Sequence, residues 1–323
     1  MPRKILLTVS PIYRRAVEGL CDRLRHAGFD PCYLGQPDET LSPEELSQLL
    51  RGAEVYVVGN ARVPRRVIED CPTLRLICKY GAGVDNIDLT AAAGRGVQVT
   101  NAPGANAVSV AEMTIGLMIY LSRRLKEIER SLREGKWRLQ AGSELYGRTL
   151  GIIGLGNIGK HVAARARAFG MRVLANDIVD YPEFCRQYEV EPVDLEQLLA
   201  TADVVTLHVP LTPLTRHMIG EAQLARMRAG SILIHTARGG VVEEAALYRA
   251  LAEGHLVAAA VDVFEQEPLG ESPLRSLDNV ILTSHIAGIT HEASERIASR
   301  TLDNVLAYLA GRTPPDLVGP ELQ

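Results

Sequence analysis

The segment Arg148–Asp177, RTLGIIGLGNIGKHVAARARAFGMRVLAND, constrains this chain more than any other. Thr149 to Ile153 is a short apolar run of the kind that forms a buried parallel strand. Gly154-Leu155-Gly156-Asn157-Ile158-Gly159 follows as a G-x-G-x-x-G. Ile158, Val162, Ala166 and Phe169 recur at helical spacing, Gly170 ends the pattern, and Met171 to Ala175 reads as the next strand. Asp177 lies 18 positions after Gly159. In such a unit Gly154 makes the tight turn, Gly156 admits a pyrophosphate to the backbone, and Gly159 lets helix and strand pack closely. The helix N-terminus offers amide N–H groups to phosphates. Asp177 can accept hydrogen bonds from ribose hydroxyls and would repel a 2′-phosphate. No Arg or Lys follows in Ile178-Val179-Asp180-Tyr181, so the pattern favours NAD over NADP. A Rossmann unit without a ligand, or one that holds an adenosyl compound, is the plainer alternative.

With 323 residues, 46% of them apolar, the chain has material for two domains. A net charge of −4 gives no global attraction to nucleic acid or an anionic membrane. The basic clusters Arg62–Arg66 and Arg123–Arg130 read as solvated helix faces. Lys4–Val9 is too short for a signal peptide core and reads as a first strand. Cys21, Cys32, Cys71, Cys78 and Cys185 are odd in number and lack metal spacing, so reduced thiols in a cytoplasmic protein are expected, with no metal site.

Before the glycine motif, Lys4–Val9, Glu54–Val58, Leu74–Cys78 and Val97–Val99 read as strands with helical patterns between them. Ser42, Pro43 and Glu45 form a helix start with a capping box. The alternation predicts an α/β unit with a parallel sheet covered on both faces. Gly81-Ala82-Gly83 follows a strand and is either an amide nest for a carboxylate or a tight strand-to-helix turn. A break at Asn101–Gly104 marks a crossing between domains, followed by a long, largely buried helix from Asn106 to Leu125.

Beyond Asp177, four strands end in polar residues. They run into His208-Val209-Pro210, into Thr236-Ala237-Arg238, into Asp262, and into Ser284-His285. Ligands of doubly wound sheets bind beyond these carboxyl ends. Arg238, Glu267 and His285 are the candidate catalytic set. A histidine serves as acid or base near neutral pH, a carboxylate fixes its tautomer, and an arginine holds a carboxylate and polarises a carbonyl. His208 and His235 compete for the histidine role, and each of the three could instead be structural. Ala287 to Leu309 reads as a last helix with Ala293, Ile297, Leu302, Val305 and Leu309 as its apolar stripe. The end, Thr313–Pro320, reads as loose.

These residues carry a family resemblance. Lys79–Asp88 (KYGAGVDNID), Asn101–Glu112 (NAPGANAVSVAE), the glycine motif with Asp177, Thr236–Gly240 (TARGG), Asp262–Pro268 (DVFEQEP) and His285–Gly288 (HIAG) occur in one order. The chain resembles the NAD-dependent D-2-hydroxyacid dehydrogenases, most like the D-3-phosphoglycerate dehydrogenase branch without its regulatory domain. The resemblance implies two doubly wound parallel-sheet domains: a Rossmann nucleotide domain (102–286) inserted in a discontinuous flavodoxin-like substrate domain (1–101 and 287–323). It implies Arg238, Glu267 and His285 as catalytic residues. It implies Gly81, Ala82, Gly83 and Arg238 as substrate-binding residues. For NAD it implies Gly154, Gly156, Asn157, Ile158, Gly159, Asp177, Val209, Pro210, Thr236, Ala237, Asp262, His285, Ala287 and Gly288. A cytoplasmic homodimer formed through the nucleotide domains is implied as well. Val58-Gly59-Asn60 lacks the basic residue that the phosphoglycerate branch carries there. 3-Phosphoglycerate, glyoxylate and hydroxypyruvate therefore all stand as substrates, and a corepressor-type NAD(H)-sensing protein is the rival from another class. Glu267, where formate-oxidising relatives usually carry Gln, argues against that chemistry.

Overall fold

The computed structural model describes residues 3–35 and 41–319. The chain divides into two compact units, 1–106 with 289–323, and 107–288.

In the first unit, five parallel strands lie in the order Asp30–Tyr33, Lys4–Thr8, Ala53–Val58, Leu76–Lys79, Gln98–Thr100. Numbered along the chain this is 2-1-3-4-5, the flavodoxin-like order. Successive side chains of a strand point to opposite faces. Ile5, Leu7, Val55, Val57, Leu76 and Cys78 therefore pack under helices Arg14–His26 and His291–Leu309. Leu6, Tyr56, Val58 and Ile77 pack under Pro43–Leu49, Arg65–Asp70 and Leu89–Gly94. The Ser42–Glu45 capping box is present with both reciprocal bonds. The end of the chain departs from expectation. Leu317–Val318 adds an antiparallel strand beside Val99 and Thr100. Asp316 anchors it through Arg300 and Asn304, contacts between distant residues that composition does not reveal. Pro320 lies outside the described residues.

The second unit holds seven parallel strands in the order Val280–Leu282, Ala258–Val261, Ile232–His235, Val204–Leu207, Thr149–Ile153, Arg172–Asn176, Val190–Pro192. The chain starts in the middle at Thr149–Ile153, runs outward one way, then returns and runs outward the other. The reversal falls between Thr149–Ile153 and Val204–Leu207, and the crevice there is where such sheets take ligands. One face is covered by Ala107–Ser122 and Asn157–Ala168. The other is covered by Leu195–Thr201, Glu221–Arg226 and Glu244–Ala252.

Several boundaries differ from the sequence reading. The units divide at 106/107 and 288/289 rather than at 101/102 and 286/287. Ala102 and Ala105 belong to the first unit's core, and Asp262 holds the amides of Ile286 and Ala287 in the second. The long helix ends at Ser122, and Arg124, at φ 54°, separates it from Leu125–Arg133. Phe169 is not on the buried stripe. It sits at the C-cap and is 44% exposed. The last helix starts at His291, capped by Thr290, so 287–290 is a turn. Among the described residues no helix is long and apolar enough to cross a membrane.

Candidate active site

The glycine turn follows from the close approach of two strand ends. Gly154, at φ 95°, faces the His208 carbonyl, which a Cβ would meet at 2.7 Å. A Cβ on Gly159 would stand 2.1 Å from the Gly154 carbonyl, so helix Asn157–Ala168 leaves the turn at a distance only glycine allows. Gly156 is different, because a Cβ there would meet nothing within 4 Å. Open space thus stands at the N-cap of a twelve-residue helix whose first amides, from Asn157, Ile158 and Gly159, have no intrahelical acceptor. That is the arrangement a pyrophosphate requires.

Asp177 is fixed beside it. Its Oδ2 accepts the Leu155 amide at 2.6 Å and its Oδ1 the Val179 amide at 2.9 Å, and each oxygen keeps lone-pair capacity for a ribose hydroxyl. A cavity of about 260 Å³ opens there, with the carboxylates of Asp177, Asp180 and Asp194 in its lining and no Lys or Arg. Lys160 lies over the Tyr181 ring, 3.5 Å from its centroid. The residues therefore fit NAD and oppose a 2′-phosphate. Like-charge contact costs several kcal/mol, so NADH is expected to bind at least about 100-fold more tightly than NADPH. Asp177→Ala should narrow that ratio to about tenfold. Fluorescence titration with both nucleotides measures it, and equal affinities for the parent protein would refute the assignment.

Val209 lies against Gly154, whose Cβ would meet its Cγ1 at 2.9 Å, and Pro210 is exposed next to it. Thr236 and Ala237 are buried at the end of Ile232–His235, with Thr236 Oγ1 3.4 Å from Thr114 Oγ1. Arg238 follows, half-buried, and donates to the Ala237 carbonyl at 2.8 Å. Gly239 packs directly on the next loop, since a Cβ there would fall 1.7 Å from the Phe264 carbonyl. That loop carries Glu267. Its Oε1 accepts the Phe264 amide at 2.9 Å, and its Oε2 accepts His285 Nδ1 at 2.7 Å. Burial alone would raise the Glu267 carboxyl. The bond from His285, the charge of its ring, the Phe264 amide and the Arg238 charge outweigh burial and hold it below the usual range. Glu267 is thus a carboxylate at neutral pH, so His285 donates from Nδ1 and its Nε2 is left for other work.

Asp262 follows the strand Ala258–Val261 and anchors the turn that carries His285. It is 1% exposed, and its carboxylate accepts Thr283 Oγ1 (2.6 Å) and the amides of Ile286 and Ala287 (2.9 Å each). The His285 amide donates to the Asp262 carbonyl at 2.8 Å. His285 sits at φ 55°, an uncommon backbone for a non-glycine, in the turn that Asp262 holds. Ala287 is buried and Gly288 half-buried in the same turn.

The competing histidines are separated from His285 by burial. His235 is 2% exposed, and among the described residues the Arg238 backbone is the one polar group that bears on its ring by hydrogen bonding. Burial pushes it from 6.5 down to about 4. His208, bonded to Thr206 through Nε2, is pushed to about 3 by burial. Both are neutral near pH 7. The unfolded chain binds a proton near pH 6.5 that folded His235 refuses until about pH 4. The stability that this neutral group contributes is therefore full above pH 6.5 and falls as the pH drops towards 4, by on the order of 3 kcal/mol. His235→Asn should flatten the pH dependence of urea unfolding between these values; an unchanged slope would show that His235 does not control it.

In the first unit, Leu76–Lys79 leads into Gly81-Ala82-Gly83. The Gly81 carbonyl accepts the Ala102 amide (2.8 Å) and the Ala82 carbonyl accepts Asn101 Nδ2 (2.6 Å). Among the described residues the amides of Ala82 and Gly83 meet no acceptor. Beneath them Lys79, 9% exposed, donates to the Gly59 carbonyl, and Asn86 Nδ2 also holds Gly59 (3.2 Å) and Ala61 (2.6 Å). Arg65 pairs with Glu69 and Asp88 at 3.7 and 4.0 Å. Arg138 is exposed in the irregular segment after helix Leu125–Arg133. Among the described residues no three His, Cys, Asp or Glu side chains form a group that could hold a metal ion.

Comparison with known proteins gives the family of the chain. Residues 115–287 match the family model "D-isomer specific 2-hydroxyacid dehydrogenase, NAD binding domain". The glyoxylate reductase of Korarchaeum cryptofilum is 45% identical over 267 residues, covering 80% of this chain and 80% of that protein. The D-3-phosphoglycerate dehydrogenase of Methanocaldococcus jannaschii is 45% identical over 282 residues, 86% of this chain and 54% of that protein, so this chain spans about half of that relative. The D-lactate dehydrogenase of Aquifex aeolicus, solved with NAD and lactic acid, superposes with a TM-score of 0.85 at 32% identity, covering 97% and 98% of the two chains. The chain belongs to the D-isomer specific 2-hydroxyacid dehydrogenase family. It is an NAD-dependent oxidoreductase that interconverts D-2-hydroxy acids and 2-keto acids.

Proposed function

We propose that His285, Glu267 and Arg238 carry the chemistry and that the substrate is a small, unphosphorylated 2-keto acid such as glyoxylate or hydroxypyruvate. The 2.7 Å His285–Glu267 pair carries the reading of the reaction. Bound at the 154–159 turn, the nicotinamide cofactor would supply the hydride as NADH in reduction and take it up as NAD⁺ in oxidation. In reduction, His285 Nε2 gives a proton to the carbonyl oxygen, while Glu267 stabilises the imidazolium beforehand and fixes its tautomer afterwards. Arg238 draws electron density towards that oxygen and pairs with the substrate carboxylate. The amides of Ala82 and Gly83, with Gly81 giving the turn its freedom, are proposed to hold a substrate carboxylate. In oxidation the proton returns to His285.

The choice of substrate rests on where the cations are. Lys79 is turned into the Gly59 carbonyl and Arg65 is engaged by two carboxylates. The Val58-Gly59-Asn60 loop itself carries no cation for a distal phosphate, and the exposed Arg62, two residues further on, is the cation that a preference for the phosphorylated acid would bring into play. NADH consumption with glyoxylate, hydroxypyruvate and 3-phosphohydroxypyruvate at equal concentration tests this. A kcat/KM at least about tenfold higher for an unphosphorylated acid is expected, a difference of about 1.4 kcal/mol. Preference for the phosphorylated acid would assign the protein to 3-phosphoglycerate oxidation instead.

The proposed setting is cytoplasmic, in keeping with five free cysteines, one of them the exposed Cys32. A homodimer through the nucleotide unit is proposed on two features of that unit. A groove of about 560 Å³ is lined by Met113, Leu117, Tyr120, Leu274, Leu277 and Ile281. Trp137 and Leu139 stand 83% and 86% exposed, a cost that burial against a second copy would remove. Sedimentation should give about twice 35.2 kDa, and a monomer at all concentrations would refute it.

A further inference from the structure

Glu265 and Glu267 flank Gln266 on one irregular loop, and their carboxylates turn to different partners. Glu267 turns to His285. Glu265 turns to the start of helix Glu244–Ala252, where its Oε1 accepts the Glu244 amide at 3.1 Å. Glu244 returns the bond, its Oε1 accepting the Glu265 amide at 2.6 Å. Each side chain thus satisfies the other residue's backbone. His217 Nε2 stands 3.3 Å from the same Glu265 Oε1. On its other side the loop is pressed on Gly239, next to Arg238, through the Phe264 carbonyl.

We propose that Glu244, Glu265 and His217 form a positioning clamp that sets Glu267 against His285. The proposal rests on the acid–base reading of His285 and adds to it the means by which the pair is kept in line. Nothing regular holds this loop: it lies between Ala258–Val261 and Pro273–Ser276 and belongs to no helix or strand. Its place is fixed instead by the reciprocal Glu244–Glu265 bonds on one side and by the Gly239 contact on the other. A carboxylate at the N-terminus of a helix is also favoured by the helix dipole, which suits Glu265 at the Glu244 amide. The charged groups that bear on Glu244 are Glu265 and Glu267, and His217 faces Glu265. Burial raises the Glu244 carboxyl. The Glu265 amide opposes that rise, and the charges of Glu265 and Glu267 add to it. A proton arriving on Glu244 therefore relieves repulsion on Glu267 rather than competing for His285.

The test uses Glu244→Ala, Glu265→Ala, their Gln counterparts, the double Ala variant and His285→Ala as control, all on the full chain with a 2-keto acid that the parent reduces. Each single Ala variant should lose about tenfold in kcat, a modest part of what misplacing a reacting group costs. KM for NADH should stay within about twofold, because the nucleotide contacts are elsewhere. Gln keeps the acceptor oxygen, so Glu244→Gln and Glu265→Gln should recover most of the loss. The double variant should be no worse than either single one, as expected of a unit. The alkaline limb of the reduction profile should move to lower pH in the Ala variants, in the direction expected for Glu267→Gln. Where an Ala variant folds poorly, His217→Gln and the NMR signal of the His285 Nδ1 proton give a second readout. That proton should lose its downfield position in every variant that opens the clamp. Unchanged kcat in the Ala variants, losses that multiply in the double variant, or Gln variants as poor as Ala would overturn the clamp. Turnover retained by His285→Ala would instead overturn the acid–base reading on which it rests.

Discussion

His285→Ala is expected to lower kcat for 2-keto acid reduction by about 10³-fold, within the range removed with a positioned general acid. The affinity for NADH should barely change, because the phosphate and ribose contacts are proposed at the 154–159 turn and Asp177. The effect is large because no other histidine can replace it. His235 and His208 are held neutral by burial down to about pH 4 and 3. Glu267→Gln should cost less, about 10- to 100-fold, because Gln can still meet the ring but no longer stabilises its charge. The sign of the pH dependence follows from Glu267. Its carboxyl lies below the usual range, so the ion pair is complete above the ordinary carboxylate value and is lost only as pH falls through the lower, folded one. Acid loss of activity near neutral pH would therefore not come from Glu267. Stopped-flow and steady-state rates on the same variants check these outcomes, and near-parent turnover by His285→Ala would remove the histidine from the mechanism.

Arg238→Gln is the second large effect, with kcat/KM expected to fall about 10²- to 10³-fold, as for loss of a donor aimed at developing oxygen charge. Arg238→Lys should recover part of this, since it keeps the charge but not the planar fork that pairs with a carboxylate. Both kcat and KM for the keto acid should worsen, because the residue is proposed to touch both the carboxylate and the reacting carbonyl. The Glu267 carboxyl should also titrate at higher pH in Arg238→Gln, because the arginine charge is among the influences that lower it. A change in KM alone, with kcat kept, would make Arg238 a binding residue only.

The parts of the fold most legible in the sequence were those with local causes. The strand, glycine turn, helix and second strand around Gly154–Asp177 follow from short-range sterics and periodicity, and so does the Ser42–Glu45 helix start. Phe169 misled because helical spacing does not say where a helix stops packing; at the C-cap the side chain has left the face that Val162 and Ala166 bury. Leu317–Val318 was invisible because its partners, Val99 and Thr100, are more than two hundred residues away. His208, His235 and His285 all follow strands and look alike in the sequence, and burial separates them. Asp262 was legible as a motif residue but not as the anchor of the His285 turn. The Glu244–Glu265 exchange left no signal, since charged residues at a helix start and in a loop are ordinary surface composition.

The most direct measurement is the configuration of the product. The protein is incubated with NADH and hydroxypyruvate, whose product is chiral where the glycolate formed from glyoxylate is not, and the hydroxy acid formed is resolved on a chiral column against the NADH consumed. One equivalent of the D-2-hydroxy acid per NADH is the expected result, abolished by His285→Ala. The L-isomer, a racemate, or no NADH consumption with any 2-keto acid would contradict the account.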